Sequence, residues 1–232
     1  MRKEKFETGS IVHVIKRGAR GMEIVRDESD RWRFVKMLYF LNDKNHSENW
    51  ERDIGSIKKG LHFERPKDWP ERDTLVNVLS YCLMPNHFHL ILEEKEEGGI
   101  PKFIKSFCGS MALYFNKKYK EKGSLFQGPY KARVIDSDYY LELVNIYVNV
   151  KNPLELYKGG LKNAIKNFDM SYRWAEGYDF CSLGDYSGKR KNSPIITKHE
   201  LYRYTPVQYK KLSREYLFYK LDKINNNEYA LD

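Results

Sequence analysis

The chain contains few cysteines and no long apolar run, and each shortage excludes a class of protein. Its three cysteines, Cys82, Cys108 and Cys181, are odd in number and widely spaced. They exclude a disulfide framework and a cysteine-type zinc site, and they fit a reducing cytosol. No apolar stretch approaches the length needed to cross a bilayer, and the charged N-terminus has no apolar segment behind it. We therefore expect a cytoplasmic protein with no secretory signal and no membrane partner.

Acidic residues are fewer than basic residues. The 232 residues include 41 Lys and Arg against 32 Asp and Glu, which gives a formal net charge of +9. Basic charge attracts polyanions through counterion release, and the 18 tyrosines offer aromatic faces on which unpaired bases can stack. The composition therefore favours nucleic acid as the partner class. The length suits one domain with an extension, or one domain and a second, smaller one.

The most informative stretch is 81–93, in which a Met-Pro-Asn break separates two apolar runs. The break predicts a turn between two strands. If 87–92 is a strand, His87 and His89 point to one face while Phe88 points into the core on the other. Two neutral imidazoles side by side can hold one divalent cation through their ring nitrogens. The alternative interpretation is a polar outer face with no ligand.

The segment 84–90, Met-Pro-Asn-His-Phe-His-Leu, resembles the His-hydrophobic-His motif of the single-tyrosine (Y1) transposases of the HUH class. The IS200-like and REP-associated tyrosine transposases are the group it resembles. The resemblance implies that His87 and His89 hold Mg²⁺ or Mn²⁺ against a DNA phosphate. It also implies that a tyrosine on a helix attacks this phosphate and forms a 5′-phosphotyrosine link. The substrate would be single-stranded or hairpin DNA.

Alternating and helical patterns predict the main elements. Alternation over 10–16 predicts a first strand, 75–83 is predicted as the second strand, and 31–42 and 100–115 have apolar residues at helical spacing. A polar insertion at about 43–73 separates the first helix from the second strand. The fold expected from the resemblance is α/β of the α+β type, with a ferredoxin-like antiparallel sheet and helices packed mainly on one face.

Two basic segments are predicted to contact DNA. In Gly123–Val134 the alternation places Lys131 and Arg133 on one face and apolar residues on the other. Arg17 and Arg20 lie in a basic turn that resembles the Arg-Gly turn of the same family, and a plain solvated loop is an equal alternative. Lys151 completes the predicted DNA-binding residues.

Tyr147 is the predicted nucleophile. It shares a helical stripe with Tyr140, and Asn152-Pro153 is expected to end that helix. The family's usual pattern has the metal-binding Asn four residues after the Tyr, whereas Asn152 lies five residues after Tyr147. Either a local bulge restores the register, or the third metal ligand differs. An alignment that puts Val148 at the Tyr position would make the protein inactive.

The resemblance covers residues 10–153 and predicts a catalytic domain over 1–153, followed by a basic, Tyr-rich extension of unknown role over 154–232. The predicted function is a DNA transposase and endonuclease. One alternative is a catalytically inactive, single-stranded nucleic-acid-binding protein. Another is a nickase of the relaxase or replication-initiator type, for which a helicase or further motifs would be expected. A homodimer remains an open possibility for the oligomeric state.

Overall fold

The computed structural model describes residues 6–47, 49–55, 59–191, 193–197, 199 and 204–225, which form a four-stranded sheet and its surrounding helices. The strands are β1 (Ile11–Arg17), β2 (Val76–Met84), β3 (His87–Glu94) and β4 (Lys131–Ile135). The helices are α1 (Glu28–Phe40), α2 (Trp50–Asp53), α3 (Gly99–Tyr119), α4 (Asp138–Ile146), α5 (Asn152–Glu155), α6 (Gly160–Lys166), α7 (Phe168–Glu176), α8 (Leu183–Tyr186) and α9 (Pro206–Asn225). A 3-10 turn (Ala19–Gly21) follows β1, and a π-helical turn (Tyr147–Lys151) joins α4 to α5.

The strands lie in the spatial order β2–β3–β1–β4, and every neighbouring pair is antiparallel. Along the chain, the succession β1–α1–β2–β3–α3–β4 is that of the ferredoxin-like fold. The predicted α+β class with an antiparallel sheet is therefore confirmed. The central strands of the sheet are β3 and β1.

Alternation along the central strands builds the core on one face of the sheet. Val12 and Val14 of β1, and Phe88 and Leu90 of β3, are fully buried there beneath α1 and α3. The apolar stripe of α3 supplies the facing layer, and its members are Ile100, Phe103, Ile104, Phe107, Met111 and Phe115. Burying one such side chain stabilises the fold by about 1.5–3 kcal/mol, so this layer holds α3 on the sheet.

Carboxylates fix the starts of α1 and α3. Asp27 caps α1 by accepting from the Asp30 backbone N–H, and the Asp30 carboxylate accepts from the Asp27 backbone N–H in return. Glu94, at the end of β3, is 1% exposed and accepts from the backbone N–H groups of Gly98 and Ile100 at 2.8 and 2.7 Å. A cap of this kind contributes about 1 kcal/mol and sets where the helix begins.

Helices also cover the other face, and this differs from the expectation that they pack mainly on one face. Leu79, Cys82 and Ile91 point to this second face and are fully buried beneath α4 and the elements that follow it. Apolar side chains on both faces of β2 and β3 need to be covered on both sides, because exposing them to water is costly. The sheet is therefore a middle layer between two helical layers.

The polar insertion folds back against the end of α1. Asn42 pairs with both backbone groups of Val76 in β2, with its Nδ2 2.9 Å from the carbonyl oxygen and its Oδ1 3.0 Å from the N–H nitrogen. The buried carboxylate of Asp43 accepts from Arg65 within the insertion. Trp50 of α2 stacks on Phe40, and these contacts make part of the insertion an extension of the first core. Residues 48 and 56–58 of the insertion lie outside the described part of the chain.

Residues beyond 153 pack on the second face through a buried polar cluster. Its central residue, Asn149, donates to the Ser80 hydroxyl at 3.2 Å and accepts from the Ser182 hydroxyl at 2.5 Å. Tyr209 of α9 donates to Asn145 of α4 at 2.6 Å. Because buried amides are costly when unpaired, these bonds fix the orientation of α4 against both the sheet and the later helices. The domain boundary at residue 153 stays a prediction.

No helix in the described ranges is long and apolar enough to span a membrane.

Candidate functional site

Three histidines gather at the centre of the second face, which we call the histidine face. His87 and His89 lie on β3, and His13 lies on the neighbouring strand β1. The rings of His87 and His89 have centroids 4.9 Å apart, and those of His13 and His89 are nearly parallel with centroids 5.2 Å apart. His89 is 1% exposed and His13 is 9% exposed, whereas His87 is half-buried at the end of the strand.

Strand register places most of the predicted DNA-binding residues on the same face. Directly opposed residues of antiparallel strands share a face, and Arg17 is opposed to His87 while Arg133 is opposed to His13. Lys131 lies two residues before Arg133 on β4 and so shares its face. All three basic side chains are exposed at the edge of the histidine cluster.

Arg20 lies outside this arrangement, because it is in the 3-10 turn beyond the sheet, where it is exposed.

The turn after β1 packs against the turn that precedes His87. Gly18 donates its backbone N–H to the Asn86 carbonyl at 2.8 Å, and Ile24 donates to the Pro85 carbonyl at 2.8 Å. A Cβ at Gly18 would lie 2.1 Å from the Met22 carbonyl oxygen, so only glycine allows this close approach. The Arg-Gly turn predicted from the sequence therefore fixes the loop that leads into the His-x-His strand.

Tyr147 faces the histidines from the first residue of the π-helical turn. Its ring centroid is 5.4 Å from that of His89 and 6.0 Å from that of His13, in both cases edge-on. The Lys151 ammonium nitrogen lies 4.9 Å from the centroid of the Tyr147 ring and forms an ion pair with Glu155. The structure thus brings Tyr147, Lys151 and the predicted His pair together.

The extra residue between Tyr147 and Asn152 is accommodated by the π-helical turn. The Asn152 backbone N–H donates to the carbonyl of Tyr147, five residues back, instead of to the fourth. In an unbroken α-helix, a five-residue step would turn Asn152 roughly 140° beyond a full turn from Tyr147. The structure therefore contains a local bulge, and the role of Asn152 as third ligand stays a prediction. Asn152 is 1% exposed, and its side-chain nitrogen has no hydrogen-bond partner among the described residues.

The sequence predicted that the helix ends at Asn152-Pro153. This prediction is wrong, because the helix continues as α5 to Glu155. Pro153 has no N–H to give to the carbonyl four residues earlier, that of Asn149. The Cys181 thiol lies 3.5 Å from this carbonyl oxygen and can donate to it instead. The freed carbonyl is therefore satisfied from outside the helix, which lets the helix pass through the proline.

Burial keeps the three imidazoles neutral at pH 7. It lowers the pKa of His13 to about 4. Burial, assisted by the positive charge of Arg17, lowers the pKa of His87 to about 4. Burial lowers the pKa of His89 further below its ordinary value, and the neighbouring histidines add to the shift. Neutral rings keep the lone pairs that a metal ion requires.

The residues present fit a divalent cation. The Nδ1 of His87 is 2.7 Å from the Asn86 side-chain oxygen, which can only accept, so the lone pair of His87 is on Nε2. His89 has a buried Nε2 with no hydrogen-bond partner in the described chain. Within the same residues, no cluster of three or more His, Cys, Asp or Glu side chains is placed to hold a metal.

A groove of about 720 Å³, which we call the tyrosine groove, opens beside Tyr147, between α4 and α9. Its lining includes His13 and Tyr147 together with further tyrosines, namely Tyr139, Tyr140, Tyr216 and Tyr219. Burial raises the pKa of Tyr216 to about 12, so its phenol is neutral at pH 7. Neutral aromatic rings next to the histidines provide stacking surfaces for planar groups.

Acidification is expected to destabilise the fold between about pH 6.5 and pH 4. Because the pKa of His13 is about 4 in the folded chain and about 6.5 in the unfolded chain, protons bind preferentially to the unfolded state in this window. His13 contributes about 3 kcal/mol to this loss below pH 4 and about 2 kcal/mol at pH 5, and the contribution is absent above about pH 6.5. Urea unfolding at neutral pH and near pH 5 measures it. His62→Gln, which alters an exposed histidine, serves as the control and should lose as much stability on acidification as the wild type. Equal stability of the wild type at both pH values would contradict the expectation.

The sequence analysis missed His13 as a site residue. Alternation along 10–16 places His13 on one face with Ile11 and Ile15. The pattern of a single strand does not show which strand will pair beside it. Only the pairing of β1 with β3 brings His13 next to His89.

Comparison with known proteins identifies the central part of the chain. Residues 70–151 match the family model described as "Transposase IS200 like". This range contains His87, His89 and Tyr147 and ends one residue before Asn152. The predicted family resemblance is therefore confirmed over this part of the chain. No curated protein sequence matches the chain.

Among solved structures, the chain is similar to a REP-associated tyrosine transposase bound to a REP hairpin. The two share 12% sequence identity, and the similarity covers 87% of this chain and 92% of that chain with a TM-score of 0.41. At this identity and score, the likeness transfers no residue role and no ligand to the present protein.

Proposed function

Residues 70–151 carry an IS200-like transposase sequence, and from that premise we propose that this protein is a metal-dependent single-tyrosine transposase. It cleaves and rejoins single-stranded or hairpin DNA through a 5′-phosphotyrosine intermediate. The observation that carries the proposal is the edge-on approach of Tyr147 to His89, with ring centroids 5.4 Å apart. This contact brings the proposed nucleophile next to the proposed metal-binding histidines on one face of the sheet, with exposed basic residues beside them.

His87, His89 and Asn152 are the residues that would hold Mg²⁺ or Mn²⁺. When bound, a divalent cation supplies Lewis-acid stabilisation of the charge on the scissile phosphate. The chain's own part is to present two Nε2 lone pairs from a rigid central strand and one amide from the helix that carries Tyr147. Rigid elements hold such groups more accurately than loops do.

Tyr147 supplies the nucleophile. Its phenolic oxygen attacks the phosphorus in line, the new O–P bond forms, and the bond from phosphorus to the 3′ oxygen breaks. The phenolic proton is lost to solvent, and the departing 3′ oxygen takes up a proton to become a hydroxyl. The Lys151 ammonium lies 4.9 Å from the ring centroid and is held there by its ion pair with Glu155. Reversal by a 3′-hydroxyl rejoins DNA without an external energy source, because the phosphotyrosine bond conserves the phosphodiester energy.

The strand of DNA lies along the basic edge of the histidine face. Arg17, Lys131 and Arg133 are exposed there, and the Arg133 guanidinium lies 4.9 Å from the centroid of the Tyr140 ring. A guanidinium held on an aromatic ring keeps its charge in place for a phosphate. The adjoining tyrosine groove offers stacking surfaces for unpaired bases.

Binding of single-stranded DNA is expected to weaken linearly with salt on a log–log plot. Lys131→Ala and Arg133→Ala should each lower the slope by about 0.7, because each removes one neutralised phosphate. Lys117→Ala is the matched control, since Lys117 is exposed on α3, on the other side of the sheet. Fluorescence anisotropy at several salt concentrations measures the slope. A slope that these two variants leave unchanged, or that Lys117→Ala lowers equally, would remove β4 from the DNA interface.

The direct test of the function is covalent capture. Labelled single-stranded DNA incubated with the protein and Mn²⁺ should give an adduct that survives SDS. The rival function, an inactive single-stranded nucleic-acid-binding protein, has the same groove and basic edge and predicts binding without an adduct. The absence of an adduct with either metal, under conditions where DNA binds, would decide for that rival.

A further inference from the structure

His13 is in direct contact with His89 and lies outside the segment that matches the transposase family. Its Nε2 is 2.9 Å from the Nδ1 of His89, and the two ring planes lie 15° apart, so the rings meet edge to edge in nearly one plane. Both side chains are buried. The short separation means that one of the two nitrogens carries a proton and donates it to the other.

The position of that proton decides what His89 can do. If His13 donated, neutral His89 would carry its own proton on Nε2. That nitrogen is buried and has no acceptor among the described residues, so the N–H would be unsatisfied at a cost of about 1–3 kcal/mol. If His89 donates from Nδ1, its Nε2 carries a lone pair instead. In the second arrangement the buried nitrogen is an acceptor, which a bound cation would satisfy, whereas no cation can satisfy an N–H.

His13 can take the matching tautomer. When its Nε2 accepts, its proton is on Nδ1, and His13 also lines the tyrosine groove. The remaining N–H is therefore not forced into a closed apolar interior. Strand pairing supports the contact, because Ile15, two residues after His13, is directly opposed to His89 on the neighbouring strand.

We propose that His13 is a positioning residue, which accepts the Nδ1–H of His89 and so fixes His89 in the tautomer whose Nε2 lone pair faces the site. The inference rests on the proposed function, because this lone pair matters only if His89 binds a cation. His13 itself does not act as a ligand through Nε2, since that nitrogen is engaged by His89. An imidazole whose other N–H is held by an acceptor is both oriented and made a stronger donor to a metal.

The variants His13→Gln and His13→Leu test this role. The Gln oxygen reaches about as far as the histidine Nε2 and can accept the same proton, so His13→Gln should bind Mn²⁺ with an affinity close to that of the wild type. Leu fills a similar volume without an acceptor, and His13→Leu should bind Mn²⁺ about 10–100-fold more weakly. Titration calorimetry of the metal-free protein measures the affinities, and thermal unfolding shows whether each variant folds.

A second measurement needs neither DNA nor a metal ion. Imidazole nitrogen chemical shifts of the metal-free wild type should show His89 protonated on Nδ1, and His13→Leu should shift it toward a mixture. A wild-type His89 protonated on Nε2 would overturn the inference. Wild-type Mn²⁺ affinity in His13→Leu would also overturn it. If His13→Gln lost as much Mn²⁺ affinity as His13→Leu while the His89 tautomer stayed unchanged, His13 would be a direct ligand and the inference would fail. If the affinities and the tautomer follow the expectation but no DNA adduct forms, the proposed transposase activity fails while the role of His13 stands.

Discussion

Tyr147→Phe is expected to abolish covalent attachment to DNA while leaving DNA binding intact. The substitution removes the nucleophilic oxygen and keeps the ring, which packs edge-on to His13 and His89. Loss of a catalytic nucleophile lowers a rate by about 10⁴-fold or more, so no adduct should be detectable. Denaturing gels of protein incubated with labelled single-stranded DNA and Mn²⁺ measure the adduct, and anisotropy measures binding.

Tyr140→Phe is the matched control. Tyr140 lines the same groove, but it precedes Tyr147 by seven residues on the same helix, about 10 Å along the axis. Its phenol is therefore too far from the histidine pair to share one site with Tyr147, and Tyr140→Phe should form the adduct normally. Peptide mapping of the trapped wild-type adduct identifies the linked residue. DNA found on any tyrosine other than Tyr147 would show that the nucleophile has been assigned wrongly.

Removal of the His87 imidazole is expected to weaken both Mn²⁺ binding and cleavage by at least about 100-fold. His87 is half-buried at the start of β3, so His87→Ala removes a ligand with little loss of packing. His89→Ala is a less direct test, because His89 is 1% exposed and removal of its ring also leaves a cavity beneath the helices that cover the histidine face. Calorimetry for the metal and single-turnover cleavage for the chemistry are the appropriate measurements.

The exposed histidine His62 in the polar insertion offers a control for nonspecific metal binding. His62→Ala should leave both quantities unchanged. If His87→Ala retained wild-type affinity for Mn²⁺ and cleaved DNA at the wild-type rate, the metal site would have to lie elsewhere in the chain.

Much of the site could be predicted from local patterns. A strand has a period of two, so His87 and His89 had to share a face once 87–92 was assigned as a strand, and the same holds for Lys131 and Arg133. The Met-Pro-Asn break located the turn of the β2–β3 hairpin for a similar reason. These features depend only on residues near one another in the chain.

Features that depend on distant contacts could not be predicted in this way. The contact of His13 with His89 requires the pairing of β1 with β3, which are separated by more than seventy residues. The covering of the second face depends on how α4 and the later helices pack, and a buried polar cluster around Asn149 determines that packing. The five-residue step from Tyr147 to Asn152 was compatible with either a bulge or a different ligand, because the count of residues does not specify the helix type.

The π-helical turn bears on how related chains are recognised. A search that demands a fixed number of residues between the tyrosine and the asparagine would reject this chain as a degenerate copy. Yet the Asn152 N–H still closes a hydrogen-bonded ring onto the Tyr147 carbonyl, so one full turn separates the two residues here just as it does in the shorter pattern. In this chain the asparagine keeps its position one turn beyond the tyrosine although the count of residues is larger by one. Chains with one additional residue at this point should therefore be compared by the position of the asparagine around the helix axis and not by residue count alone.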